Sequence, residues 1–254
     1  MARFRRVRPD DELTLVEHLD ELRTRLIISI SVLTIAVAAC YAEYGRLFHL
    51  LTDPIHHRHL YAFSPGEAFF TTLGVSVYAG LIISAPILSY QLYAYIIPAF
   101  SDESLKTIRP MLWMTPILFT IGVVFGWFIV VPAALRFLVG FNSQNITYLP
   151  QASAYVHFLL MTLLAMGIVF ELPVVMMMLG RVGILRSSFM RKRWREAVVV
   201  LAVLAALLPG TDPVTMTAEY VPMLALYWLS YFLVKAVEPK KKHGLTDFLS
   251  EPSP

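Results

Sequence analysis

Glu17-His18-Leu19-Asp20-Glu21-Leu22-Arg23-Thr24-Arg25-Leu26 leads without a break into an apolar run that carries no further charge until Glu43. Within it Leu15, Leu19, Leu22 and Leu26 recur at alternating steps of four and three, which stacks them on one side of a helix. Those leucines are expected to seat the helix against its neighbours. Glu17, Asp20, Glu21 and Thr24 fall on another side, where Glu21 and Arg25 are spaced to pair at i, i+4. Two readings fit this acidic face: a solvated surface beside a membrane, or a surface that captures something basic.

The membrane enters through composition. Apolar residues make up 57% of the 254 positions and charged residues only 15%. Uncharged runs of 17, 34 and 26 residues separate Arg25 from Glu43, Glu67 from Asp102 and Arg109 from Arg136. A helix needs about 20 apolar residues to cross a hydrocarbon core, so these runs are spans. The single cysteine, Cys40, excludes an intramolecular disulfide and thiolate metal clusters. The opening Met1-Ala2-Arg3-Phe4-Arg5-Arg6 is separated from the first apolar run by many charges, so it reads as a retained tail and not as a signal peptide.

Taken in order, the spans fall at about 22–42, 69–97, 110–134, 154–180, 196–208 and 213–234, with residues 1–21 and 235–254 as tails. The second carries Pro86, which is expected to kink it unless neighbouring groups satisfy the freed carbonyl. Residues 43–67 read as a polar segment holding His49, His56, His57 and His59, either a solvated external loop or a weak metal site without acidic or thiolate ligands. Gly122 and Gly126, four apart, allow close helix packing. Span 5 is short of a full crossing, Asp212 is placed to N-cap a helix starting at Pro213, and spans 5 and 6 form a short hairpin.

Orientation follows from charge. The segment leading into span 1, the 2–3 loop, the 4–5 loop and the C-terminal tail hold 18 of the 21 Lys and Arg, which puts both termini in the cytoplasm. The expected fold is all-α, with six spans in a single membrane domain. The clustering of the basic residues speaks for orientation and against nucleic acid.

Glu171 is the one ionisable residue deep in a span. A carboxylate there costs about 2.5–3.5 kcal/mol on insertion scales, so it faces a groove, water or a partner, and Pro173 loosens the backbone beside it. Glu67 opens span 2, where the helix dipole favours it. Glu219 lies about two turns into span 6 and either snorkels or meets a polar partner. No G-x-S-x-G, H-E-x-x-H, phosphate loop or dinucleotide fingerprint occurs, so no enzyme, metal or cofactor is expected.

Three motifs then converge: His18-Leu19-Asp20-Glu21-Leu22-Arg23-Thr24-Arg25-Leu26, Ser64-Pro65-Gly66-Glu67-Ala68-Phe69 and Phe170-Glu171-Leu172-Pro173. With them the chain resembles the TatC subunit of the twin-arginine protein translocase along nearly its whole length. The resemblance implies a glove-like, kinked and concave bundle; the host is open between bacterium, archaeon and plastid, and the lack of a transit-peptide pattern leans toward a prokaryotic inner membrane. The resemblance also implies a receptor for paired-arginine signal peptides that exports folded proteins on the proton-motive force with single-span TatA and TatB, further copies of itself and the lipid bilayer. Glu21 matches the family's contact to the arginine pair, and His18 and Arg23 belong to the same motif. The family's second contact falls on Glu103, with Asp102 as substitute, although the loop spacing after Pro98 departs from the pattern by one residue. Glu171 matches an intramembrane contact to a partner helix. The turn before span 6 departs too, so Thr215 or Glu219 takes over the polar partner contact there. Ser64, Pro65 and Glu67 are assigned to a periplasmic cap, and Pro173 a structural role. The competing reading is a proton-coupled small-solute carrier using Glu171, against which stands the lack of inverted repeats and of several midplane polar groups.

Overall fold

The computed structural model describes residues 15–55, 60–96, 113–141, 149–210 and 212–238, and its longer elements are all helices. Five of them, His18–Ala42, Glu67–Tyr95, Met114–Gly140, Ala152–Arg181 and Pro213–Val237, are long and apolar enough to cross a membrane. The elements are α1 (Leu15–Ala42), α2 (Tyr44–Thr52), α3 (Glu67–Ile96), α4 (Met114–Phe125), α5 (Val131–Gly140), α6 (Ala152–Val169), α7 (Leu172–Val182), α8 (Ser187–Lys192), α9 (Trp194–Leu207) and α10 (Pro213–Val237).

Prolines explain where the long helices are interrupted. A π-helical turn, Gly126–Val130, joins α4 to α5, and the Val131 N–H reaches back five residues to the Gly126 carbonyl. Pro132 follows at once and has no N–H to give, so the ladder slips by one residue where it was already short of a donor. Pro173 acts likewise between α6 and α7: the Glu171 N–H bonds the Ile168 carbonyl at 3.0 Å, a tighter i−3 turn, and α7 restarts at Leu172. Pro86, by contrast, sits inside an α3 that stays one helix to Ile96.

Close approach needs glycine at two crossings. A Cβ on Gly80 would lie 2.8 Å from the backbone of Val37, so α1 meets α3 there with no room for a side chain. A Cβ on Gly122 would lie 2.5 Å from the Met166 carbonyl, and Gly126 meets Leu163 and Met166 one turn on. The Gly122 and Gly126 pair is thus the seam between the α4–π segment and α6.

Two apolar clusters hold the bundle. One joins Leu51 and Ile55 to Val75 on α3, Val131 and Leu135 on α5, and Val156, Leu159 and Leu163 on α6. The other joins Met166 and Phe170 to Met190, Leu201 and Ala205, and to Met223, Leu226 and Val234 on α10.

Four expectations change. Residues 43–67 are not simply a polar segment: Leu47, Phe48, Leu51 and Ile55 repeat at helical spacing, and α2 with the 3₁₀ turn Asp53–Ile55 packs into the first cluster. The third span does not end near residue 134 but runs on to Gly140, with Arg136 inside the helix. α9 has 14 residues and rises only about 21 Å, as the short fifth span requires, but α10 has 25 and is long enough to cross, so the sixth is not short. Last, the leucine stripe of α1 does not seat it: Leu19 and Leu26 are 62% and 55% exposed. In a membrane an apolar face is content against lipid, so the amphipathic rule that buries leucines in water does not apply.

Candidate functional site

Three polar residues of α1, His18, Glu21 and Arg25, turn toward α3, while Asp20, Arg23 and Thr24 stay exposed. His18, Glu21 and Arg25 lie at i, i+3 and i+7, one face of the helix. The His18 ring stacks on Tyr95 with centroids 4.5 Å apart and planes 16° from parallel. Arg25 donates through both Nε and Nη2 to a single oxygen, Glu21 Oε1, at 3.0 and 2.6 Å. Its Nη1 donates to Gln91 Oε1 at 3.1 Å. Both side chains of the ion pair are about a quarter exposed. The result is a carboxylate fixed against α3 with its second oxygen, Oε2, bonded to no described residue. Arg23 is exposed off this face, and Asp102 and Glu103 lie outside the described residues.

A second polar centre lies deeper. Tyr93, on α3, donates its hydroxyl to Glu171 Oε2 at 2.6 Å, and both residues are buried. Glu171 Oε1 is buried without a hydrogen bond among the described residues, and the Ser89 hydroxyl, one turn before Tyr93 on α3, stands close to the carboxyl. Val174 and Met178 of α7 close over the Tyr93 ring. The break at Pro173 positions Glu171 at the head of α7, so its carboxyl projects sideways to α3. Tyr93→Phe removes the one hydroxyl that satisfies Oε2 and is expected to destabilise the bundle by about 1–3 kcal/mol. A lowered unfolding midpoint of the detergent-purified variant would show it.

At the other end of α3, Glu67 works as a clamp. It accepts from the Phe63 N–H at 2.8 Å, the Ser153 N–H at 3.2 Å and the Ser153 hydroxyl at 2.7 Å. Beside it Tyr61 bridges to Gln151, with the Tyr61 N–H on the Pro150 carbonyl at 3.0 Å and the Ala152 N–H on the Tyr61 carbonyl at 2.9 Å. The Ser64 carbonyl accepts the Glu67 N–H at 3.1 Å, and Pro65 sits in the turn between. The Tyr155 hydroxyl ties α6 to the Leu51 carbonyl at 2.7 Å.

The head of α10 holds the remaining candidates. Asp212 caps it through the Val214 and Thr215 N–H groups at 3.1 and 2.9 Å, as its spacing predicts, and bonds the Thr215 hydroxyl. Thr215 and Glu219 have no exposed surface, and neither Glu219 oxygen has a hydrogen bond among the described residues. Of the histidines, His49 is an exposed residue of α2, while His56, His57 and His59 lie outside the described residues. No group of three potential metal ligands occurs among the described residues.

Gln91, Tyr93, Tyr95 and Ser153 are absent from the motif reading. Gln91 and Tyr95 stand four apart on the last turns of α3, which is the one local signal that α3 carries a polar face there.

Comparison with known proteins bears on this arrangement. The model of the family described as Sec-independent protein translocase protein (TatC) matches residues 17–222. The chain is 32% identical to the Sec-independent protein translocase protein TatC of Magnetococcus marinus over 238 residues, covering 91% of this chain and 88% of that one. It is 35% identical to the chloroplastic TATC of Oryza sativa subsp. japonica over 231 residues, 89% of this chain but 64% of the rice protein's length. A crystal structure of the twin-arginine translocase receptor TatC superposes with a TM-score of 0.75 at 32% identity, over 87% of this chain and 99% of that one. Helical, with several helices long and apolar enough to cross a membrane and matched to these proteins over most of its length, this chain belongs to the TatC family of Sec-independent protein translocase proteins.

Proposed function

We propose that this chain is the receptor and core subunit of a twin-arginine translocase in a prokaryotic inner membrane. Six spans, with α9 as the short fifth, form a concave glove with both termini in the cytoplasm, which the clustering of Lys and Arg supports. The signal peptide's paired arginines bind at the α1–α3 corner, with Glu21 as acceptor, His18 and Arg23 beside it, and Glu103 or Asp102 as the second contact. Glu171, Thr215 and Glu219 serve polar contacts to the single-span partners TatA and TatB and to further copies of the chain. Ser64, Pro65 and Glu67 cap the periplasmic end, and export runs on the proton-motive force without a cofactor.

The observation that carries this reading is the Glu21 carboxylate, held on one oxygen by Arg25, which donates in turn to Gln91, while the other oxygen is bonded to no described residue. A guanidinium presents paired N–H donors to such a group, whereas an ammonium offers a point charge. A photocrosslinkable signal peptide with two arginines is therefore expected to label the chain in inverted membrane vesicles, and its two-lysine counterpart to label it far less. Equal labelling by both peptides would overturn the site. Uptake of a small solute by the purified chain alone under a pH gradient would overturn the receptor reading in favour of a carrier.

A further inference from the structure

Five of the ten residues from Arg186 to Arg195 are basic, and they form the elbow between α7 and α9. The elbow is fastened on one side. Gly183, with φ of 85°, ends α7, and the Leu185 N–H returns to the Leu179 carbonyl at 3.1 Å. Glu238 then accepts from the Ser187 N–H and from its hydroxyl, both at 2.8 Å. The Tyr227 hydroxyl donates to the Met190 carbonyl at 2.9 Å. Ser187 and Met190 are buried by these ties to α10, and Arg186, Arg191, Lys192, Arg193 and Arg195 are left exposed.

Little of that charge is answered within the chain. Glu196 pairs with Arg193 at 2.8 Å, and Glu238 is taken by Ser187. Arg186, Arg191, Lys192 and Arg195 have no carboxylate partner among the described residues.

Helix register sets the depth of these cations. Tyr220 donates to the Val198 carbonyl at 3.3 Å and Tyr227 to that of Met190, so α9 and the elbow run antiparallel beside α10. Tyr227 precedes Lys235, the next charged residue on α10 after Glu219, by eight residues, about 12 Å of helix rise. The elbow's cations therefore lie beside an apolar part of α10, about two turns short of the level where α10 carries its own charge. Arg195 also heads an exposed apolar stripe, with Val199 and Val203 following at i+4 and i+8, 62% and 56% exposed. Its guanidinium stands 5.7 Å from the ring centroid of Trp194, a residue type that settles at membrane interfaces.

We infer that the elbow binds the phosphate groups of anionic phospholipids, with Arg191, Lys192 and Arg195 as the donors. Long basic side chains at the head of an apolar stripe keep their stems against acyl chains and turn their charges to the headgroups. A soluble acidic partner would have to enter the bilayer to meet cations at this depth, whereas lipid phosphates are already there. Several cations without carboxylates favour lipids of net negative charge over zwitterionic ones. The inference rests on α9 spanning the membrane as the short fifth span, and not on the receptor role.

The test places a photoreactive benzoylphenylalanine at position 189, which keeps an aromatic ring on the elbow and removes none of the donors. The full chain is reconstituted in nanodiscs of equal phosphatidylglycerol and phosphatidylcholine, and the crosslinked lipids are identified by mass spectrometry. Each Lys or Arg at an anionic surface strengthens binding about fivefold, equivalent to about 1 kcal/mol. Phosphatidylglycerol is thus expected to be captured at least about tenfold over phosphatidylcholine. Arg191→Gln, Lys192→Gln and Arg195→Gln together should bring that preference to within about twofold of the mixing ratio. Replacing Lys240, Lys241 and Lys242 by Gln removes the same charge from the C-terminal tail and should leave it unchanged. If the triple elbow variant does not fold, Arg195→Gln alone should lower the preference about 2- to 5-fold and Arg195→Lys should keep it. A preference that survives the elbow substitutions, or falls equally with those in the tail, would overturn the inference. So would capture of a polypeptide in place of lipid from position 189 in native membranes. A fluorophore at position 199 that a bilayer-resident quencher does not reach would instead remove α9 from the membrane, and the lipid site with it.

Discussion

Glu21→Ala is expected to lower the affinity for a paired-arginine signal peptide by roughly 10- to 100-fold, the worth of one charge-assisted interaction of about 1.5–3 kcal/mol. Binding of a fluorescent peptide to the protein in nanodiscs would measure it. Glu21→Gln keeps the shape and one acceptor oxygen but not the charge, so it should fall between the two. The carboxylate is a quarter exposed, and salt screens exposed charges over about 8 Å at physiological ionic strength. The affinity of the unsubstituted chain should therefore fall as salt is raised, and that of Glu21→Ala should fall less. Arg25 decides whether the corner is built for this purpose. It holds Oε1 alone, and it bonds Gln91 at the same time, so it positions the carboxylate and leaves Oε2 bonded to no described residue. Arg25→Ala is then expected to weaken binding about 2- to 10-fold. Tighter binding in Arg25→Ala would show that Arg25 competes with the peptide, and unchanged binding in Glu21→Ala would remove the site.

That corner was half legible in the sequence. The Glu21–Arg25 pair follows from i, i+4 spacing, and the structure bears it out at 2.6 Å. Asp212 as a cap before Pro213, the close seam at Gly122 and Gly126, and the short α9 were likewise local signals. What failed was the side of α1 that faces inward. Amphipathic reasoning takes water as the outer solvent, and lipid inverts it, so Leu19 and Leu26 point out while His18, Glu21 and Arg25 dock. Gln91, Tyr93 and Tyr95 were silent for another reason. α3 is apolar nearly throughout, and their partners lie 66, 78 and 77 positions away in sequence, where no periodicity reaches. α2 was hidden because His49, Thr52 and Asp53 break up the four apolar residues that pack it.

Glu219→Leu should stabilise the folded protein and impair export. The carboxyl has no exposed surface and no hydrogen bond on either oxygen among the described residues, and the acidic Asp212 stands two turns before it on the same helix. A buried polar group left unsatisfied costs about 1–3 kcal/mol, and replacing it by an apolar side chain of like volume recovers much of that. Thr215 one turn away does not help, because Asp212 already engages its hydroxyl. Around it the turn Gly126–Val130 is π-helical, and its Val130 packs in one cluster with Met223, one turn beyond Glu219; such turns often mark places where a helix is rearranged in function. A residue this unfavourable at rest is accounted for if a polar partner helix, or water admitted as α10 moves, satisfies it during transport. The midpoint of thermal unfolding in detergent should therefore rise for Glu219→Leu while export of a folded reporter falls. Glu219→Gln, which keeps an acceptor and the volume, should export nearer to the unsubstituted chain. If Glu219→Leu exports normally, the carboxyl has no part in transport, and if it also melts no higher, its burial carries no penalty to relieve.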